Sequence, residues 1–145
     1  GVQTCALPIY MIKEIELTVG RRGLHEITSE IQQLVQESGL KEGLCTLFIR
    51  HTSASLLIQE NADPSCQRDL EEWMERLVPR GDPLYTHIDE GLDDMPGHIK
   101  SMLTQSSLSV PVVDGRLPLG TWQGIFLWEH RERNHTRKLM IHLGA

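Results

Sequence analysis

Residues 43–60 read GLCTLFIRHTSASLLIQE, and the fold turns on what this stretch is. Its first half, residues 43–51, is rich in apolar and β-favouring side chains and reads as a buried strand. A short Thr-Ser-Ala link follows, and SLLIQE (55–60) reads as a second strand. The next residues change character: Asp63 suits a helix N-cap, and Pro64 suits the first helical position. Leu70, Trp73, Met74 and Leu77 then recur at helical spacing until Pro79 stops the run. Strand, strand, helix is therefore the order at the centre of the chain.

Working upstream, MIKEIELTV (11–19) alternates apolar and polar residues, which predicts a half-buried strand ended by GRRG. Ile27, Ile31, Leu34 and Val35 predict a helix over 27–38, with Ser29 and Gln32 as a capping box and Gly39 as its end. Downstream, residues 80–96 hold Gly81, Pro83, Gly91 and Pro96 without periodicity, and a loop of that length in a compact domain is often functional. GHIKSMLTQ reads as a short helix. SLSVPVV, an Asp114-Gly115 turn and RLPLG suggest a hairpin, and TWQGIFLWEH and RKLMIHL two further strands. Trp122, Phe126 and Trp128 share one parity and Ile125 and Leu127 the other, so both faces of that strand are covered. The expected fold is α+β: one compact domain over 10–145, a mainly antiparallel sheet packed with two or three helices.

The chain has 145 residues, 39% hydrophobic and 23% charged, with a net charge of −6. That length buries a core without disulfides. The negative balance disfavours nonspecific contact with nucleic acid or anionic membrane, and fits a cation, or a metal joining acidic protein to phosphate. No apolar run approaches the roughly 18–20 residues of a membrane span. Three cysteines without close Cys/His spacing suggest reduced thiols in a cytoplasmic protein. GVQTCALPI (1–9) has no signal-peptide features and reads as an adapter-derived, non-native segment.

Chemistry concentrates in HIDEGLDDMPGHIK, residues 87–100. His87 and His98 flank four carboxylates, and Asp93 and Asp94 stand just before Pro96, where a starting helix favours a negative charge. Imidazole with carboxylates suits zinc, or with more oxygen ligands magnesium, although an acidic surface loop has the same composition. His51 ends a strand and can join a metal site or act as acid or base. Thr52 and Ser53 can meet phosphate oxygens, or form an ST-turn that closes a hairpin. Glu60 ends a strand and Asn61 precedes a helix start. Glu129 and His130 end another strand and can converge on the histidine loop. Arg131, Arg133 and Arg137 are a basic rim that attracts phosphate or is simply solvated.

HTSASL, ENADP, DL at 69–70, HIDEGLDDMPGHIK, GTWQGI and EHR stand in one order and spacing, and by these the chain resembles the YjbQ-like family over residues 11–144. The resemblance implies an α+β subunit in a homotrimer, and a secondary thiamine-phosphate synthase activity. Such a transferase joins hydroxymethylpyrimidine diphosphate to thiazole phosphate and releases pyrophosphate. It also implies His51, His87 and His98 as members of one metal site, with zinc or magnesium as cofactor. Under that reading Asp94, Glu129 and His130 are the catalytic candidates. Thr52, Ser53, Glu60, Asn61, Lys100, Trp122, Gln123 and Arg137 are the substrate-binding ones. Two other classes compete: a metal-dependent hydrolase of a small phosphorylated metabolite, and a non-catalytic trimeric binding protein.

Overall fold

The computed structural model describes residues 10–145, so the reading of residues 1–9 as non-native lies outside the described residues. The elements run β1 (Met11–Val19), β2 (Gly23–Glu26), α1 (Thr28–Ser38), β3 (Gly43–Ile49), β4 (Ala54–Glu60), α2 (Pro64–Leu77), α3 (Asp94–Leu103), β5 (Ser107–Val112), β6 (Gln123–Glu129) and β7 (His135–Gly144). They form two sheets rather than one. Four strands lie in the order β1-β7-β3-β5 and three in the order β2-β6-β4, with every pairing antiparallel.

β3 and β4, read from sequence as a possible hairpin, belong to different sheets. The link at 50–53 therefore carries the chain across the core instead of closing a turn. The reason is that both strands bury one face against the same core: Cys45, Leu47 and Ile49 from β3 meet Ala54 and Leu56 from β4. Paired edge to edge, they would share a sheet and could not face each other.

β6 is covered on both faces, as its two parities predict. Ile125 and Leu127 enter the core between the sheets, while Phe126 and Trp128 pack with Met74 and Val78 beneath α2. The layers are thus four-stranded sheet, three-stranded sheet, then α2 and α3. α1 closes the first core with Ile31, Leu34 and Val35, and ends at Gly39, whose left-handed φ of 72° favours glycine.

Several local expectations change. Ser29 hydrogen-bonds Glu30 rather than capping α1, whose N-cap, Ile27, makes no side-chain cap. Trp73 and Leu77 are exposed, and Met74 alone is buried on α2. RLPLG forms no strand; Arg116 makes only an isolated bridge to Val113. Gly23–Glu26 is a strand, held by β6, where the sequence reading ended in a break. α3 begins at Asp94, before the glycine from which it was read.

Candidate metal centre

The earlier start of α3 decides the site. With Asp94 in the first turn, Asp94 and His98 stand four residues apart on one helix face. Asp94 is buried, and its Oδ2 lies 3.2 Å from His98 Nε2. The loop before α3 brings in His87, whose Nε2 lies 2.8 Å from the same oxygen. The two imidazole rings tilt toward each other at 52°, with centroids 5.2 Å apart. One potential ligand atom from each of the three residues lies within 4.8 Å of the others.

The orientation of His98 is set from behind. Its Nδ1–H donates to the Thr52 carbonyl at 2.9 Å, so Nε2 is the nitrogen presented to Asp94. Asp94 Oδ1 is occupied separately, accepting from Arg131 at 2.9 Å. Arg131 also donates to Asp93 and to the Glu90 carbonyl, and Asp93 accepts the Glu132 N–H. Burial pushes the Asp93 carboxyl upward, but the Arg131 and Glu132 hydrogen bonds outweigh it and hold the group below its usual value.

His51, the third expected histidine, does not join this cluster. Its Nε2 accepts the Lys138 N–H at 2.7 Å, and its Nδ1 lies 3.4 Å from Arg137, so both ring nitrogens face β7. Burial and the Arg137 charge push its pKa down, against a smaller pull from Glu129.

Glu129 and Arg137 point inward at each other. The guanidinium donates through Nε at 3.0 Å to both carboxylate oxygens, and again through its second amino group, which also reaches the Ser53 carbonyl. Both residues are buried, so neither stands open to a ligand. His130 is buried too: its Nε2 lies 2.8 Å from Ser55 Oγ, and its Nδ1 has no partner among the described residues. Burial, then the charges of Lys100 and Arg137, push His130 down to about 3. Lys100 is buried against Glu75, which also pairs with Arg22.

The remaining candidates sit elsewhere. Glu60 pairs with Gln123 at the far end of β4 and β6, while Ala54 pairs with Glu129 at the near end. Six residues of strand separate the ends by about 20 Å. Asn61 donates through its side chain to Glu26 and through its backbone N–H to the carbonyl of Trp122, a residue that is 62% exposed. The structure thus divides the expected site residues between two ends of one sheet. Thr52 and Ser53 adjoin the histidine cluster; Glu60, Asn61, Trp122 and Gln123 do not. Arg131 and the Thr52 carbonyl are the contributors that the sequence reading did not assign to the cluster. A backbone acceptor leaves no trace in side-chain identity, whereas the Asp93-Asp94 doublet hinted at a shared cation.

A cleft of about 530 Å³ opens beside the cluster, lined by Arg80, Glu90, Asp93, Arg131, Arg133 and His135 among others. Asp93 and Arg131 form a wall common to both. A second cavity, of about 380 Å³, lies between β2 and α2 against Trp128 and does not include any residue of the cluster. Among the described residues no helix is long and apolar enough to cross a membrane.

Two antiparallel sheets backed by helices, with a histidine–carboxylate cluster at the start of α3, define a class of small α+β proteins. The family described as UPF0047 protein YjbQ-like matches residues 13–144, and the chain belongs to that family. A UPF0047 protein of Synechocystis is 57% identical over 86% of this chain and 84% of its own length. The YjbQ protein of Escherichia coli O157:H7 is 44% identical over 90% of this chain and 95% of its own. Among solved structures, a YjbQ/UPF0047 protein of Clostridium acetobutylicum has a TM-score of 0.80 at 35% identity, covering 89% of this chain and 97% of that one. A YbjQ-like protein of unknown function from Sulfolobus solfataricus has a TM-score of 0.81 at 25% identity, covering 94% and 99%.

Proposed function

We propose that the protein is a divalent-metal-dependent hydrolase of a small phosphorylated metabolite. Its ion is zinc, held by His87 Nε2, His98 Nε2 and Asp94 Oδ2. One observation carries this. His98 gives its Nδ1 proton to the Thr52 carbonyl, leaving Nε2 aimed at the oxygen that His87 also meets. Ligating histidines are commonly oriented by such a backbone acceptor. The separations of 2.8 and 3.2 Å are close to the ~3.3 Å edge of a tetrahedron with ~2.0 Å bonds. Three protein ligands leave a fourth position for water or substrate.

A zinc ion so held supplies a water that ionises near neutral pH and a Lewis acid for a phosphoryl oxygen. The chain's own groups do the rest. His87, on the exposed side, leaves the approach open, and the exposed Thr52 hydroxyl can donate to a substrate oxygen. The adjoining cleft takes the body of the substrate, with Arg133 and His135 available to an anionic group. Glu129, Arg137 and Lys100 act as internal supports, since each is buried and paired.

The thiamine-phosphate synthase reading rests on the resemblance. It needs free cations around a departing pyrophosphate, and two of those expected, Lys100 and Arg137, are already spent on Glu75 and Glu129. The hydrolase reading does not require them. We further propose a cytoplasmic homotrimer. Its support is the outer face of the four-stranded sheet, where Ile12 is 61% exposed and Leu44 and Phe48 are each 48% exposed. Phe48 is in register with Met140, and Leu44 with Pro111. These exposed apolar side chains stand among Glu14, Thr46, Lys138 and His142 on the same face, and an apolar patch rimmed by polar residues is a usual site of subunit contact.

The test is metal analysis and zinc titration of wild type and Asp94→Asn and His98→Ala variants. It is followed by phosphate release from a panel of phosphorylated metabolites. One tight zinc per chain, lost in both variants along with phosphate release, is the expected result. Thiamine phosphate formed from the two precursors with magnesium, without phosphate release from the panel, would decide for the transferase. No metal uptake and no turnover of either kind would favour the binding protein.

A further inference from the structure

We infer that Arg131 is the positioning residue that restricts Asp94 to one coordinating oxygen and so selects which cation the cluster accepts. This inference rests on the metal reading above.

Arg131 stands immediately after β6 and spends its guanidinium in three directions. One amino group donates to Asp94 Oδ1 at 2.9 Å, Nε donates to Asp93 Oδ2 at 3.1 Å, and the other amino group donates to the Glu90 carbonyl at 2.9 Å. The groups it holds are themselves fixed. Asp93 Oδ2 also takes the Glu132 N–H at 2.9 Å, and Asp94 is buried at the start of α3. A planar fork tied at three points cannot swing, so it sets the plane of the Asp94 carboxylate. Oδ1 is turned away from the histidines, and Oδ2 alone faces them.

Electrostatics agree. A lone guanidinium beside a cation site would repel the ion, but Asp93 offsets it. The local sum of Asp93, Asp94 and Arg131 is −2 + 1 = −1, so one negative charge remains for the metal. The donor set is then two imidazole nitrogens and one oxygen. That suits zinc and cobalt, which accept four ligands including nitrogen. It suits calcium poorly, which seeks six to eight oxygens, and magnesium, which demands an oxygen octahedron. Freed from Arg131, Asp94 can offer both oxygens, and the site becomes more hospitable to manganese and other oxygen-seeking ions. Lysine cannot replace the fork, because a single ammonium does not hold Asp93, Asp94 and the Glu90 carbonyl in one plane.

The experiment uses the full chain loaded with zinc or cobalt(II). X-ray absorption of the wild-type zinc protein should show two nitrogens and two short oxygens, one from Asp94 and one from water, with no second carboxylate oxygen. The cobalt form should absorb strongly in the visible, as four-coordinate cobalt does. In Arg131→Gln and Arg131→Lys the absorption should weaken as the coordination number rises. Zinc affinity should fall about tenfold or more while manganese affinity does not fall, so the preference between them narrows. A bidentate Asp94 in wild type overturns the inference, and so do variants that keep the wild-type spectrum and preference. If Arg131→Gln does not fold, the wild-type absorption and the Arg131→Lys variant still decide. A wild type that takes up neither ion overturns the metal reading itself, an outcome distinct from unchanged variants of a metal-binding wild type.

Discussion

His130 and the Glu129–Arg137 pair show how differently two neighbouring strand-end residues use burial. The His130 imidazole is neutral in the fold because burial and the Lys100 and Arg137 charges push it down to about 3 from 6.5. The unfolded chain takes up a proton below about pH 6.5 and the folded chain does not until about pH 3. The contribution is therefore complete above that upper value and is lost as pH falls through the window, at up to about 1.4 kcal/mol per pH unit. His51, also pushed down, acts in the same sense. Lys100→Met removes one cause of the His130 shift, and Lys100→Met/Glu75→Gln removes it without leaving the Glu75 carboxylate short of its partner, so the double variant's stability should fall less between pH 6.5 and 4 than that of Glu75→Gln alone. Urea unfolding across that range measures it, and parallel profiles would refute the assignment. Glu129 is supported in the opposite way, by a guanidinium rather than by neutrality. Arg137→Met strands a buried carboxylate and should cost about 3–5 kcal/mol, and a Glu129→Leu/Arg137→Met double variant should recover much of that. A single variant within 1 kcal/mol of wild type would show the pair to be dispensable.

At the level of elements, α3 carries the site and its seating sets the geometry. Gly97 lies so close to its surroundings that an added Cβ would meet Ser53 Cβ at 3.3 Å and Arg131 Cδ at 3.5 Å. Gly97→Val should cost about 1–3 kcal/mol and also weaken zinc binding, since Asp94 and His98 must move with the helix. Asp63→Ala is the control: it removes the carboxylate that accepts the Ser65 N–H and caps α2, lowering the melting temperature without changing zinc affinity. Elements with strong local signals were legible in sequence. β1 alternates, Asp63-Pro64 opens α2, and Gly39 ends α1. Signals set by tertiary contact were not. β2 exists only because β6 is beside it, and α3 starts at Asp94, three residues before the glycine that opens the stretch GHIKSMLTQ. The exposure of Trp73 likewise follows from which face of α2 the second core takes.

For the molecule as a whole, the division into two sheets was the part hidden from the sequence. Alternation reports that a strand has an inner face, not which neighbour it pairs with, so β3 and β4 read as partners when they oppose each other across the core. The same division explains why the expected site split in two: Glu60 and His130 mark opposite ends of the smaller sheet. The outer face of the larger sheet leads to an assembly prediction. Phe48→Asp should convert a trimer to monomers in size-exclusion chromatography with light scattering, with the subunit fold kept by circular dichroism. A wild-type mass of one subunit would reject it. Finally, β7 lies between β1 and β3 in the larger sheet. A ribosome delivers residues 135–144 long after both neighbours have emerged, so those two wait with bare edges that invite mispairing. Translation thus withholds the central plank of this sheet, and a nascent chain stalled before it is a natural client for a chaperone.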